Sequence, residues 1–147
     1  MSSHISNAIR EQVASRANNV CEYCLIAEED SYFRHQIEHI VSVKHGGSSD
    51  LENLALACVF CNRNKGSDIA AAVPGTQRAI LLHNPRTDRW ADNFRINGVV
   101  IEPLTECGEA TVRILQMNHN DRIIEREILS RRGNFPSNAA KLLVFEH

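Results

Sequence analysis

The sequence predicts an α+β fold: a wide-looped β-hairpin and a short helix bracketed by two pairs of cysteines, preceded by an N-terminal helix and followed by a C-terminal hairpin and helical extension. Three observations predict it. Cys21-Glu22-Tyr23-Cys24 and Cys58-Val59-Phe60-Cys61 flank one stretch of chain. Within that stretch, β-branched residues at 33–43 and an apolar return at 54–58 enclose the polar, glycine-bearing loop at 45–50. Finally, 147 residues, 43% of them hydrophobic, are enough for one compact core and too few for two full-sized ones. We therefore expect one domain over 1–147, with its distinctive centre at about 20–70 and an accessory region at about 76–147.

The elements follow in order. Ser6 heads a short helix with Ile9, Val13 and Ala17 on one side, and Asn18-Asn19 ends it. The hairpin comes next, and residues 62–73 read as a helix that frays into Pro74-Gly75. Asn97-Gly98 between β-formers is a two-residue hairpin signal. Two helices, at 108–117 and 121–132, are expected to close the chain, the second carrying Ile123, Ile124 and Ile128 as an apolar stripe.

Composition narrows the function classes. No apolar run approaches the roughly 18 residues of a membrane span, and the first residues lack the apolar stretch of a secretory signal. A cytoplasmic protein is the expectation. In a reducing compartment, paired Cys-x-x-Cys motifs more often bind metal than form disulfides. Four thiolates from two such knuckles suit one tetrahedral zinc with no position open for chemistry, so Cys21, Cys24, Cys58 and Cys61 are expected to hold a structural Zn²⁺. Cys107 is left over and reads as a plain small residue rather than a ligand or nucleophile. The net charge of −2 gives no general sign of a polyanion partner. Locally, however, Arg63, Lys65, Arg78, Arg86, Arg89 and Arg95 outnumber Asp68, Asp88 and Asp92.

Between the knuckles lie Ile37-Glu38-His39-Ile40, then Gly46-Gly47, then Leu51-Glu52-Asn53-Leu54, and after the last cysteine Asn62-Arg63-Asn64-Lys65-Gly66. In order and spacing this stretch resembles the HNH endonuclease family, in its zinc-knuckled bacterial branch. The resemblance extends into His83-Asn84-Pro85-Arg86-Thr87-Asp88-Arg89-Trp90, without a role attached. It implies a ββα-metal (His-Me finger) module, DNA as partner, a metal-dependent endonuclease activity, and cleavage leaving a 5′-phosphate. It also implies that His39 is the catalytic base and that Asn53 orients that base by bonding the loop backbone. Glu38 stands where Asp or His is more usual.

The residue chemistry suits those roles. Phosphodiester hydrolysis needs a base for water and a cation for the charge growing on phosphate. His39 has the pKa range of a base at neutral pH. Glu38 and Asn62 offer hard oxygens for Mg²⁺ or Mn²⁺. Asn62 sits near a helix start, where an anion is favoured, and Lys65, Arg63 and His45 are candidate phosphate contacts. Consecutive strand residues face opposite ways, so Glu38 is expected toward the helix and His39 toward phosphate. His35 could share the His39 face or simply pack, while His4, His83, His119 and His147 join no constellation. The competing expectation is a non-catalytic, zinc-stabilised nucleic-acid-binding module, indifferent to His39→Ala. A homodimer or another protein partner is left open.

Overall fold

In a computed structural model, which describes residues 5–145, the chain begins with α1 (Asn7–Arg16). Ser6 caps it by accepting from the Ile9 amide at 3.2 Å, filling one of the orphan donors of a helix start. Val13 of α1, with Ile5 and Ala17, packs on Leu54 and Leu56 in a small cluster of its own. Arg16 then donates to the carbonyls of Leu51 and Leu54, at 2.9 and 2.6 Å, so α1 clamps the far side of the hairpin. His4 and His147 lie outside the described residues.

The hairpin is β1 (Gln36–His39) with β2 (Leu54–Ala57), antiparallel, pairing Gln36 with Ala57 and His39 with Leu54. Its strands are much shorter than residues 33–43 suggested, because the chain leaves the ladder at Ile40 and enters a loop built from two 3₁₀ turns, Val43–His45 and Leu51–Asn53. α2 (Val59–Lys65) follows β2 directly, with Cys58 at its N-cap. The expected helix over 62–73 is corrected here. Gly66, with φ +54° and ψ −129°, ends α2, and the alanine run forms β3 (Ala70–Ala72), paired with β4 (Ala79–Leu81) around Pro74-Gly75. Alanine's helix propensity yields to that stop.

The C-terminal part consists of α3 (Trp90–Asn93), the hairpin β5 (Phe94–Asn97) and β6 (Val100–Pro103), then α4 (Glu106–Leu115), α5 (Asn120–Arg131) and α6 (Asn138–Phe145). Gly98 takes the positive φ, +65°, that the β5–β6 turn requires. α5 corrects the expected apolar stripe. Its buried residues are Arg122, Arg126 and Leu129, while Ile124 and Ile128 are exposed. Arginine is turned inward because acceptors wait there: Arg126 donates to the Val99 carbonyl and to Asn118, and Arg122 to sulfur. Among the described residues no helix is long and apolar enough to cross a membrane.

The motif from His83 to Trp90 is fastened to the first cysteine pair. Trp90 Nε1 donates to the Tyr23 carbonyl at 2.9 Å, and Arg86 pairs with Glu22. Glu22 in turn accepts from the Leu56 amide at 2.8 Å. His83 is 2% exposed, packs edge-on against Phe94 and Tyr23, and bonds Asn93 through Nδ1. Burial lowers its pKa to about 4. Above pH about 6.5 the ring is neutral folded or unfolded, and pH has no leverage through it. Below that, the unfolded ring binds a proton that the folded one refuses until about pH 4. Unfolding free energy should thus fall by a few kcal/mol as pH drops from about 6.5 to about 4. In urea titrations across that range, His83→Gln should flatten the slope; an unchanged slope would assign the acid sensitivity elsewhere.

Candidate active site and metal centre

Two turns of identical design bring the four cysteines together. In each knuckle the first sulfur accepts the amide of the second cysteine at 3.4 Å, Cys21 from Cys24 and Cys58 from Cys61. All four sulfurs lie within 4.8 Å of one another and all four residues are buried. A tetrahedral zinc with Zn–S near 2.3 Å needs sulfurs about 3.8 Å apart, and Cys24 and Cys58 sit at 3.7 Å. The donor set therefore fits zinc in kind, number and spacing. Cys107 is outside the cluster, half-buried on α4, with burial raising its pKa.

The cluster has a fifth participant. Arg122, from α5 and 5% exposed, donates to Cys24 Sγ at 3.1 Å and reaches Cys58 Sγ at 3.4 Å. Its ring neighbour is Phe60, whose centroid lies 4.9 Å beneath the guanidinium. Hydrogen bonds from Cys21, Cys24 and Cys61 push the Cys58 thiol far down, and the Arg122 charge adds to the effect. Four thiolates on one Zn²⁺ leave an excess negative charge, which a buried guanidinium partly neutralises. No sequence signal marks Arg122, since its partners are distant in the chain.

His39 ends β1 half-buried, with Nε2 3.0 Å from Ser49 Oγ. Partial burial lowers its pKa, which favours the neutral ring. Ser49 comes from the loop, and Asn53 fixes that loop. The Asn53 amide accepts from the Val41 amide at 2.9 Å and donates to the carbonyls of Val41 and Ser48, at 2.8 and 2.7 Å. The glycines complete the turn in two ways. Gly46 adopts φ +87°, and a Cβ on Gly47 would stand 1.8 Å from the Val41 carbonyl oxygen. His45 is exposed on the same loop.

Glu38 faces the other way, as alternation requires. It is 2% exposed, accepts from Tyr23 Oη at 2.6 Å, and lies 2.6 Å from the equally buried Lys65 Nζ, which also donates to the Ile40 carbonyl at 2.9 Å. Burial raises the Glu38 pKa, with Lys65 opposing it. Lys65 is thereby enclosed rather than exposed. Glu38 is paired with Lys65, and Asn62 donates its amide nitrogen to Gln36 while its oxygen takes no part in that bond. The Glu38–Asn62 pair would hold an ion only if Glu38 gave up Lys65. Arg63 is exposed, with its guanidinium also over the Phe60 ring, 5.2 Å from the centroid. His35 is packed, with Nε2 on the Ile26 carbonyl at 2.8 Å.

Two measurements check these roles. Arg122→Gln should weaken zinc by roughly 10–100-fold in a competitive chelator titration, the range typical of lost partners around a metal's ligands; unchanged affinity would reduce Arg122 to packing. Glu38→Gln strands the Lys65 ammonium in the interior and should lower unfolding free energy by about 3 kcal/mol. Chemical denaturation reads that directly, and a stable variant would show that Glu38 is not an anchor.

Residues 21–68 match the family model described as HNH endonuclease. No curated protein and no solved structure matches the chain. The match covers both knuckles, the hairpin, the Asn53-held loop and α2, and leaves residues 69–147 outside. The stretch from Cys21 to Asp68 accordingly resembles an HNH endonuclease module, and its four-cysteine cluster suits a zinc-knuckled form of it.

Proposed function

We propose that the chain is an endonuclease that hydrolyses phosphodiester bonds in DNA, with His39 as the base. The observation that carries this reading is the His39 imidazole, held neutral and half-exposed against a loop that Asn53 and Gly47 make rigid. The reaction uses the tautomer in which Nε2–H donates to Ser49 Oγ and the lone pair rests on Nδ1, the atom that takes the proton from water. Asn53 is a positioning residue, acting through Ser48 and Ser49. Arg63 and His45, both exposed, are the proposed phosphate contacts.

A hard divalent ion, Mg²⁺ or Mn²⁺, belongs to the reading as the group that neutralises charge on phosphate. Asn62, in the first turn of α2, offers an amide oxygen that takes no part in its bond to Gln36. Glu38 joins such an ion only by giving up Lys65. That enclosure favours a second reading, a zinc-stabilised DNA-binding module without catalysis.

Nicking of supercoiled plasmid separates the two. The wild type should nick with Mg²⁺ or Mn²⁺ and stop with EDTA, and His39→Ala should lose about 100-fold or more of the rate, the low end of what a general base supplies. Equal nicking by both proteins would remove His39 from the chemistry, and binding without nicking under any ion would establish the second reading.

A further inference from the structure

The segment that leads into β1 presents two aromatic rings to water. Tyr32 is 93% exposed and Phe33 52%. Their rings meet edge to face, centroids 4.9 Å apart, so each is steadied by the other while a face stays open. Ahead of them Asn19 and Ala27 tie the turn at Glu28–Asp30, and behind them the His35 amide is bonded to Glu28 at 2.8 Å. The rings are therefore carried on a backbone fastened at both ends.

Phe33 opens onto a surface groove of about 650 Å³, lined also by Arg10, Glu11, Arg34, Gln36 and Val59. Two guanidinium groups against one carboxylate give it a positive balance. Its lining borders the candidate site through Gln36, the residue bonded to Asn62, and Val59, which opens the helix that carries Asn62. Phe33 and His39 are six residues apart, which an extended chain spans in no more than about 20 Å. That reach corresponds to about six nucleotides at 3.4 Å per base along a strand.

Exposed aromatic faces beside guanidinium groups are the chemistry of base stacking along a charged backbone. Base faces are hidden within a duplex and open only in unpaired nucleotides. We propose that Tyr32 and Phe33, with Arg10 and Arg34, form a stacking platform for an unpaired nucleotide, so that the substrate is DNA with a single-stranded or splayed element a few nucleotides from the cut. This rests on the DNA reading above and names the substrate class for that site. Glu28, Glu29 and Asp30 precede the rings in the chain, whereas Arg34 follows them and lines the groove with Phe33, which favours a strand running along the Arg34 side.

The test measures binding without cleavage, using the full zinc-loaded chain in magnesium-free buffer. Fluorescent oligonucleotides with a blunt duplex or a single-stranded tail carry 2-aminopurine in the tail. The wild type should bind the tailed DNA more tightly and quench the 2-aminopurine. Tyr32→Ser with Phe33→Ser should weaken tail binding by roughly 10–100-fold, the range for lost base stacking, and leave duplex binding, zinc content and circular dichroism as they were. Tyr32→Phe should keep the tail affinity. Equal affinity of the double variant and the wild type for the tail would overturn the platform. So would loss of concentration-dependent self-association in sedimentation with DNA binding unchanged, since the rings would then cover a second copy. Failure of nicking leaves this measurement intact, because no bond need break for stacking to be seen.

Discussion

Four sulfurs that converge within 4.8 Å set the frame from which the other positions follow. The first knuckle leaves α1, and the second joins β2 to α2. Joining them fixes where α2 begins, because Cys58 is both ligand and N-cap, its sulfur accepting the Cys61 amide. Asn62 and Lys65 are thereby set at a given height over β1. A zinc of this kind contributes on the order of 10–16 kcal/mol of apparent folding free energy in small modules. The strands of this hairpin have only four residues each, and a pair that short is marginal alone.

Around that centre, ion pairs and hydrogen bonds fasten the family-matched stretch to the rest of the chain. Arg86 and Glu22, Arg122 with Cys24 and Cys58, and Trp90 with the Tyr23 carbonyl all reach from residues beyond 68 to the knuckles. A buried pair is weak evidence of net stability, but removing one partner is costly. The accessory region is thus committed to the metal centre, and the basic surplus of its sequence is partly spent inside the protein rather than on a DNA-facing surface.

The reach of the sequence follows the range of the interactions. Cysteine spacing and the order of His39, Asn53 and Asn62 are local facts of the chain, and the hairpin and its loop were legible from them, whereas α2 begins at Val59, three residues before the expected start. Residues 70–72 were misread because alanine propensity is weak against a glycine stop and pairing partners seven to eleven residues on. The α5 face was misread because period alone ranks isoleucine as inward, whereas acceptors at Val99, Asn118 and the cysteines draw Arg122 and Arg126 in. Those acceptors are remote in sequence, so nothing local announces them. Tyr32 and Phe33 were not singled out because nothing local in the chain separates an exposed aromatic pair from a packed one; only the fold shows their exposure.

Glu38 and His39 show how one strand divides its labour. A one-residue step turns the side chain to the other face, so Glu38 enters the space beneath α2 while His39 stays at the loop. On the inner face, a carboxylate with its ammonium and phenol partners holds helix to strand. On the outer face, the imidazole meets Ser49, whose loop is tied by a single asparagine side chain that donates two hydrogen bonds and accepts a third. The inner pair limits how far α2 can shift, and the loop limits how far the ring can turn. Reactive geometry needs both limits, since misplacement of about 1 Å costs on the order of 100-fold in rate. Glu38 is thus first an anchor between strand and helix, and any cation it were to hold would have to compete with the Lys65 ammonium 2.6 Å away.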